Sequence, residues 1–204
     1  MNKAVSLNSY FLNNLNLLIQ RYILRKLFRI FAVKIIIIMF NKEKLKEWIQ
    51  YMREHPDEFP AFISWFHDIT HWEHVEAFGL LLAKHYPEAD TDVIRWFAYL
   101  HDCRRSSDND GEEHGRVAAK YIRKIRRTFL SDLSDEQIRV LTMACQFHTT
   151  KRRTSNITAD ICLDADRLDL PRVSIKPEPK KMASDIGAEF AKLKYEDLLK
   201  EAGL

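Results

Sequence analysis

The imidazole and carboxylate side chains of this chain have types and spacings that suit a metal site. Imidazole nitrogens and carboxylate oxygens are the donors that borderline-to-hard divalent ions accept, including Mn, Fe, Co, Ni, Zn and Mg. The three cysteines are far apart and form no CxxC pair, so a thiolate zinc site is not predicted. The sequence therefore predicts a divalent-ion site. Its candidate ligands are His67, His71, His74, His101, Asp102, His114, His148, Asp164, Asp166 and Asp169.

The order of these residues along the chain suits one shared ion. His101 and Asp102 end a predicted helix, where the helical pattern no longer turns adjacent side chains to different faces, so both can reach one ion. Ligands from three helices would be held in position by the core rather than by loops. Asp164 and Asp166 compete for a ligand position, because two residues apart on a helix they point about 200° apart. Their spacing leaves both open.

The elements that must position these ligands are predicted to be helices. Only five glycines and six prolines occur in 204 residues, which disfavours a sandwich or barrel with its frequent turns. Apolar residues at helical spacing predict an all-α fold with one domain over residues 41–204. The predicted helices span residues 41–55, 61–85, 91–101, 112–129, 135–148, 157–170 and 181–201, with Asp90 or Thr91, and Asp132 or Ser134, as N-caps.

Residues 1–40 form an apolar and basic segment of doubtful status. Five basic residues interrupt its apolar stretch over 11–40, so no window of about 20 uncharged residues exists to span a membrane. No small-residue cleavage site follows the run Ile35–Phe40, which argues against a signal peptide. A basic amphipathic helix on a membrane surface is one interpretation. The favoured alternative is that Met39 is the true start and residues 1–38 are not part of the natural protein.

Charge and cysteine content exclude some classes of function. A net charge of +3, with basic residues spread along the chain, does not predict specific nucleic-acid binding. The odd number of separated cysteines predicts buried free thiols in a reducing compartment, so a cytoplasmic location is expected.

The ordered set of candidate ligands resembles the HD-domain family of metal-dependent phosphohydrolases. The family signature is a His, a His-Asp pair and a distal Asp, which the resemblance places at His71, at His101-Asp102 and at Asp166. The similarity is strongest to a subgroup with a basic pair after His-Asp, a His-Gly helix start and a DADRLDL segment. Here these read Arg104-Arg105, His114-Gly115 and Asp164–Leu170.

The resemblance implies a single-domain helical HD-type fold and a metal-dependent phosphohydrolase. His71, His101, Asp102 and Asp166 would hold the ion, and a metal-activated water would attack a small phosphate ester or nucleotide. Asp102 would help to orient or deprotonate that water. Arg104 or Arg105 would neutralise the phosphate, with Lys151 and Arg167 as further candidates. His114 and His148 are candidates for a second ion or a phosphate contact.

Two departures limit the carry-over from the family. His74 stands where such proteins often have Arg, which puts a phosphate contact from that position in doubt. No Gly-Tyr-Pro element follows, so hydrolysis of cyclic dinucleotides is not supported.

Two other functions compete with this prediction. A zinc-dependent protease could use His67 and His71, which imitate the H-E-x-x-H helix with Asp68 in place of Glu. That hypothesis leaves His101, Asp102 and Asp166 without a purpose. A non-catalytic HD module that binds a nucleotide or metal is the second alternative, and loss of hydrolysis on replacing Asp102 would exclude it.

Overall fold

The computed structural model describes residues 20, 23–24, 26–28, 42–64, 66–107, 111 and 113–204. The chain divides into two compact units, residues 1–43 and 44–204. The predictions for residues 1–40 lie almost entirely outside the described residues. Those described between residues 20 and 28 are helical and exposed. In the described part of the chain, no helix combines the length and the apolar character that crossing a membrane requires.

The second unit is built from helices, and its described residues contain no strand, which confirms the predicted all-α class. Residues 42–54 are helical, and the part of this helix that belongs to the second unit, residues 44–54, is called α1. The next helices are α2 Ile69–Ala83, α3 Thr91–Leu100, α4 Glu113–Ile125, α5 Asp135–Phe147, α6 Ile157–Leu168, α7 Asp185–Phe190 and α8 Tyr195–Ala202. Short 3-10 turns lie at Pro60–Ile63, Leu170–Val173 and Pro179–Lys181.

The core of this unit lies among α2, α3, α5 and α6, with α4 packed against α5. Apolar residues recur at helical spacing in this region, which predicts that they face the core. Of these, Val75, Phe78, Leu81 and Leu82 are buried, and Ile69 packs against the core from a partly buried position. Trp65 lies outside the described residues. A methyl group at Gly79 would lie 2.5 Å from Ile94 Cγ2, so glycine there lets α2 approach α3 closely. Helices α2, α3, α5 and α6 therefore pack against one another around the core.

The second helix begins later than its apolar pattern predicted, at Ile69 instead of Ala61. Asp68 adopts an extended conformation, and its carboxylate accepts hydrogen bonds from the backbone N–H groups of Thr70 and His71. These are donors that a helix N-terminus leaves without partners. His67 consequently precedes the helix, so the prediction that His67 and His71 share a helix face is wrong.

Other boundaries also differ from prediction. The N-cap of α3 is Asp90. Helix α5 is capped by Ser134, which forms a capping box with Gln137 that was not predicted from the sequence. Helix α4 spans Glu113–Ile125, and α6 ends at Leu168, two residues before Leu170. The predicted closing helix over 181–201 is two short helices, α7 and α8.

The break between α7 and α8 has a tertiary cause. Lys194 adopts an extended conformation, and α8 begins at Tyr195. The Tyr195 hydroxyl donates to the buried Asp169 carboxylate. This contact outweighs the helical propensity of the sequence between the two elements. Cys103, Cys145 and Cys162 are buried free thiols, as predicted.

Candidate metal centre

The first cluster consists of His71, His101 and Asp166, which come from α2, the end of α3 and α6. The Nε2 atoms of His71 and His101 are 3.2 Å apart. Asp166 Oδ1 lies 3.4 Å from His71 Nε2 and 3.8 Å from His101 Nε2. Three helices thus bring two imidazoles and one carboxylate to a single point, and one ion could contact all three.

Hydrogen bonds on the far side of each ring fix which nitrogen faces this point. His71 Nδ1 is 2.7 Å from Asp169 Oδ2, and His101 Nδ1 is 3.0 Å from the carbonyl oxygen of Ala98. Carboxylate and carbonyl oxygens only accept, so Nδ1 carries the hydrogen in both rings. In the neutral rings two Nε2 lone pairs then point at each other, and a metal ion or a proton between them would remove the repulsion.

The second cluster consists of Asp102, His114 and His148. The two Nε2 atoms are 2.9 Å apart, and Asp102 Oδ1 lies 3.1 Å from His114 Nε2 and 3.6 Å from His148 Nε2. Nδ1 of His148 donates to the Cys145 carbonyl at 2.7 Å, and Nδ1 of His114 donates to the Gly111 carbonyl. Nδ1 therefore carries the hydrogen in both rings, and in the neutral rings the Nε2 lone pairs of His114 and His148 point toward each other.

Gly115 allows the second cluster to close. A methyl group at this position would lie 2.6 Å from the Cys145 carbonyl oxygen and 3.0 Å from His148 Cε1. Any larger residue would push α4 away from α5. The His114-Gly115 pair therefore combines a ligand-type side chain with the close helix approach that positions it.

Asp102 lies between the two clusters. Its Oδ2 is 2.8 Å from His67 Nδ1 and 3.7 Å from His101 Nε2, whereas its Oδ1 faces the second cluster. The side chain is 3% exposed, and Oδ1 has no hydrogen bond of acceptable geometry. A buried carboxylate oxygen without a hydrogen bond is costly unless a cation compensates it. Asp102 is thus placed to serve both clusters.

The protonation states suit cation binding. Burial lowers the pKa of His101 to about 3, so this ring is neutral near pH 7. Burial raises the pKa of Asp102, but the surrounding imidazoles of His101, His114, His148 and His67 outweigh it and hold that pKa well below its usual range. Burial also opposes ionisation of Asp166, yet its hydrogen bond with His71 and the nearby imidazoles lower its pKa. Both carboxylates are therefore negative.

Asp169 holds His71 in position. Its Oδ1 also accepts from His74 Nδ1 at 2.9 Å and from the Tyr195 hydroxyl, and Arg172 Nη1 lies 3.5 Å from Oδ2. His74 is thereby used inside this network. Carboxylate-to-imidazole contacts of this kind fix the orientation of metal-binding histidines.

The structure separates Asp164 from Asp166. Asp164 is fully buried and accepts from the backbone N–H groups of Ala183 and Ser184 at 2.6 and 2.8 Å and from the Ser184 hydroxyl at 2.7 Å. It therefore anchors the segment that leads into α7, while Asp166 joins the first cluster.

Arg104 lies away from both clusters, contrary to its predicted catalytic role. Its Nη1 donates to the Glu58 carbonyl oxygen at 2.6 Å, and its guanidinium lies 4.9 Å from the ring centre of Tyr121 and 5.5 Å from that of Phe59. Cation–π contact and an ion pair with Glu58 hold it there.

Lys151 and Arg167 are also used elsewhere. The Lys151 ammonium lies 3.9 Å from the ring centre of Phe147. Arg167 donates to the carbonyl oxygens of Arg152 and Lys181 at 2.9 and 3.1 Å, which ties the α5–α6 connection to the C-terminal segment.

Arg105, by contrast, reaches the second cluster. Its Nη1 lies 3.1 Å from His114 Nε2 and 3.6 Å from Asp102 Oδ1. Arg105 and His67 also line a half-open cavity of about 190 Å³, so the cavity adjoins two of the residues that contact Asp102. Its other described lining residues are Pro60, Ala61, Ser64, Ser106 and Ser107.

A family model described as "HD domain" matches residues 68–194, more than half of the chain. The chain belongs to the HD-domain family. This places it in a superfamily of metal-dependent hydrolases, generally phosphohydrolases, and its buried His/Asp clusters fit a divalent-metal site. The comparisons found no match among curated proteins or among solved structures.

All residues of the two clusters are among the predicted ligands, but the contact of Asp169 with His71 Nδ1 was not predicted. A signal for it exists, because Asp166 and Asp169 are three residues apart and share one side of α6. The contact between His67 and Asp102 depends on the helix starting at Ile69, which the apolar periodicity does not show.

Proposed function

We propose that this HD-domain protein is a metal-dependent phosphohydrolase that acts on a small phosphate ester or a nucleotide. The observation that carries the proposal is the first cluster, in which two Nε2 lone pairs and the Asp166 carboxylate converge beside Asp102. Structural histidines bury their polar atoms in satisfied hydrogen bonds. Here the far nitrogens are satisfied and the near ones face each other.

The donors of the first cluster fit a divalent ion. His71, His101 and Asp166, together with Asp102 Oδ2, would hold it, and nitrogen and oxygen donors of this kind accept Mn, Fe, Co, Ni, Zn or Mg. When bound, such an ion supplies Lewis-acid polarisation of a phosphoryl oxygen and lowers the pKa of water.

The chain's own residues supply the remaining functions. Asp102 is negative and buried, and is placed to accept a proton or to orient the attacking water. His67 holds Asp102 Oδ2 at 2.8 Å and so fixes the carboxylate plane. Arg105 borders the cavity and can form bidentate hydrogen bonds with phosphate oxygens. A phosphate ester in the cavity would thus lie against Arg105 and His67, which both contact Asp102.

The proposal is tested by phosphate release from protein stripped with a chelator and reloaded separately with Mn²⁺, Co²⁺ or Mg²⁺. The substrates are a panel of sugar phosphates, polyol phosphates and nucleotides. At least one is expected to turn over at about 1–10³ s⁻¹, with loss on chelation and recovery on reloading. Protein that elemental analysis shows to be loaded, yet releases phosphate from none of the panel, would contradict the proposal.

Replacing His67 by alanine separates this function from the zinc-protease alternative. The protease hypothesis makes His67 a ligand, so His67→Ala would lose the ion. In our proposal His67 holds Asp102 rather than the ion, and the affinity is expected to fall by no more than about tenfold. Isothermal titration with Mn²⁺ measures this, with His71→Ala as the control that loses the ion in either case.

Asp169→Asn is expected to weaken metal binding by about 10- to 100-fold. The Asn amide can present N–H to His71 Nδ1, which favours the tautomer with its hydrogen on Nε2, and that nitrogen then cannot bind an ion. Mn²⁺ titration measures the loss. Tyr195→Phe, which removes another hydrogen bond to Asp169 without touching His71, is the control and should have the smaller effect. Equal affinities for wild type and Asp169→Asn would show that Asp169 does not orient the ligand.

Metal affinity is expected to rise with pH. Burial lowers the pKa of His71, but hydrogen bonds with Asp166 and Asp169 outweigh it, so the pKa is raised above 6.5. Because the ion displaces this proton, affinity should rise by about tenfold per pH unit below the raised pKa and level off above it. Titrations with Mn²⁺ between about pH 6 and pH 9 test this. A pH-independent affinity would argue against His71 as a ligand.

The same shift has a defined sign for stability. In the metal-free protein, protonated His71 contributes fully to the free energy of unfolding below pH 6.5, and the contribution is lost as pH rises through the raised pKa. Stabilisation by the ion should therefore be larger at alkaline than at acidic pH.

A further inference from the structure

A guanidinium group already lies against the second cluster. Arg105 Nη1 is 3.1 Å from His114 Nε2, and Nδ1 of that ring carries the hydrogen donated to Gly111. The same guanidinium nitrogen is 3.3 Å from Nδ1 of that ring, so the positive charge lies close beside the whole imidazole. The same guanidinium nitrogen is 3.6 Å from Asp102 Oδ1.

Arg105 is held in this place. Its Nε donates to the Ser107 carbonyl oxygen at 3.2 Å, and its side chain is 12% exposed. The cluster beneath it is equally fixed, because His114 and His148 are tied through Nδ1 and the contact at Gly115 sets their separation. The positive charge is therefore a built part of the second cluster.

The first cluster has no such cation. Among the described residues, no Lys or Arg forms an ion pair with Asp166, whose partners are His71 and His101. The two clusters share Asp102 and have similar donor types. In the described part of the chain, the guanidinium of Arg105 lies beside the donors of the second cluster, and none lies beside Asp166.

We propose that Arg105 competes with a second divalent ion for the His114 and Asp102 donors, and that the protein therefore loads one ion tightly, in the first cluster. This rests on the metal binding of the proposed function. The fixed positive charge, 3.1 Å from His114 Nε2 and 3.6 Å from Asp102 Oδ1, repels a second cation at short range and occupies the space beside these donors. Removing Arg105 converts a one-ion centre into a two-ion centre.

Arg104 provides a matched control. It is adjacent in sequence and has the same charge, but its guanidinium is bound to Glu58 and stacked near Tyr121. Arg104→Met and Arg105→Met both remove one positive charge while keeping an unbranched side chain. A difference between them reports the local contact rather than the net charge.

The experiment is equilibrium dialysis against Mn²⁺ alone, with the bound metal determined by elemental analysis, and parallel calorimetric titration. We expect one tight ion in the wild type and in Arg104→Met. In Arg105→Met, a second ion should bind about 10- to 100-fold more tightly than it does to the wild type. Adding His148→Ala to Arg105→Met should return the protein to one tight ion.

Two outcomes would overturn the inference while leaving the proposed function in place. One is that Arg105→Met binds the second ion no more tightly than the wild type does. The other is that Arg104→Met gains the second ion equally well. If no protein in the series binds Mn²⁺, the proposed function fails, and the competition with it.

Discussion

An Asp102→Asn variant is expected to release phosphate about 10³-fold more slowly than the wild type, the largest effect that any single substitution should have. Asp102 lies between the two clusters, with Oδ2 near His67 and His101 and Oδ1 near His114 and His148. Asparagine keeps the shape but removes the charge. It also turns an N–H₂ group toward donors or toward the ion.

The loss should be one of function rather than of fold. Asp160→Asn is the matched control, because Asp160 is also a buried carboxylate but accepts from Thr154, away from both clusters. Circular dichroism and thermal unfolding should show Asp102→Asn folded, while Asp160→Asn keeps its activity and loses stability. An Asp102→Asn protein that hydrolyses at the wild-type rate would remove Asp102 from the mechanism. A wild type that binds ions without turnover would instead favour the non-catalytic module.

The ligand-type residues could be found from the sequence because their positions follow from local patterns. An apolar helical repeat ending in His101-Asp102 places that pair at a helix end beside the core. Asp164 and Asp166 could not both face one site, because side chains two residues apart on a helix point about 200° apart. Helix type and order were likewise predictable from periodicity, since no competing turn chemistry interrupts it.

The remaining features depend on contacts between residues far apart in sequence. Arg104 and Arg105 are equivalent as local sequence, and what separates them is Glu58 and Tyr121, which draw Arg104 to the other side. The late start of α2 depends on whether Asp68 caps or continues a helix, which apolar spacing does not decide. The closing helix is broken because Tyr195 reaches Asp169.

Three aspartates in and directly after α6 have different roles because their side chains point in different directions. Asp164 faces the C-terminal segment, Asp166 faces the first cluster, and Asp169 at the helix end faces His71 and His74. One short element thus connects the fold of the C-terminal region to the position of a metal-type ligand. Substitutions in this segment should therefore affect either stability or metal affinity, according to the side of the helix.

Asp166→Asn and Asp164→Asn are expected to show this division most clearly. Asp166→Asn should weaken Mn²⁺ binding by at least about 100-fold, since it removes the anionic donor of the first cluster. Its metal-free stability should stay near that of the wild type, because the residue is partly exposed. Asp164→Asn should keep the ion but lower the free energy of unfolding by about 2–4 kcal/mol, because a fully buried carboxylate that accepts three hydrogen bonds is replaced.

The assignment requires that Asp166→Asn loses metal affinity but not stability, and that Asp164→Asn loses stability but not metal affinity. Urea unfolding in chelator gives the stability, and titration with Mn²⁺ on the folded protein gives the affinity, so neither result depends on turnover. If Asp164→Asn loses the ion at unchanged stability while Asp166→Asn keeps it, the two aspartates have been assigned the wrong way round. In that case α6 would have to be rotated by roughly half a turn relative to α2, because the two carboxylates point about 200° apart. The contact of Asp169 with His71 would then be lost as well, so an Asp169→Asn variant with wild-type affinity would accompany that result.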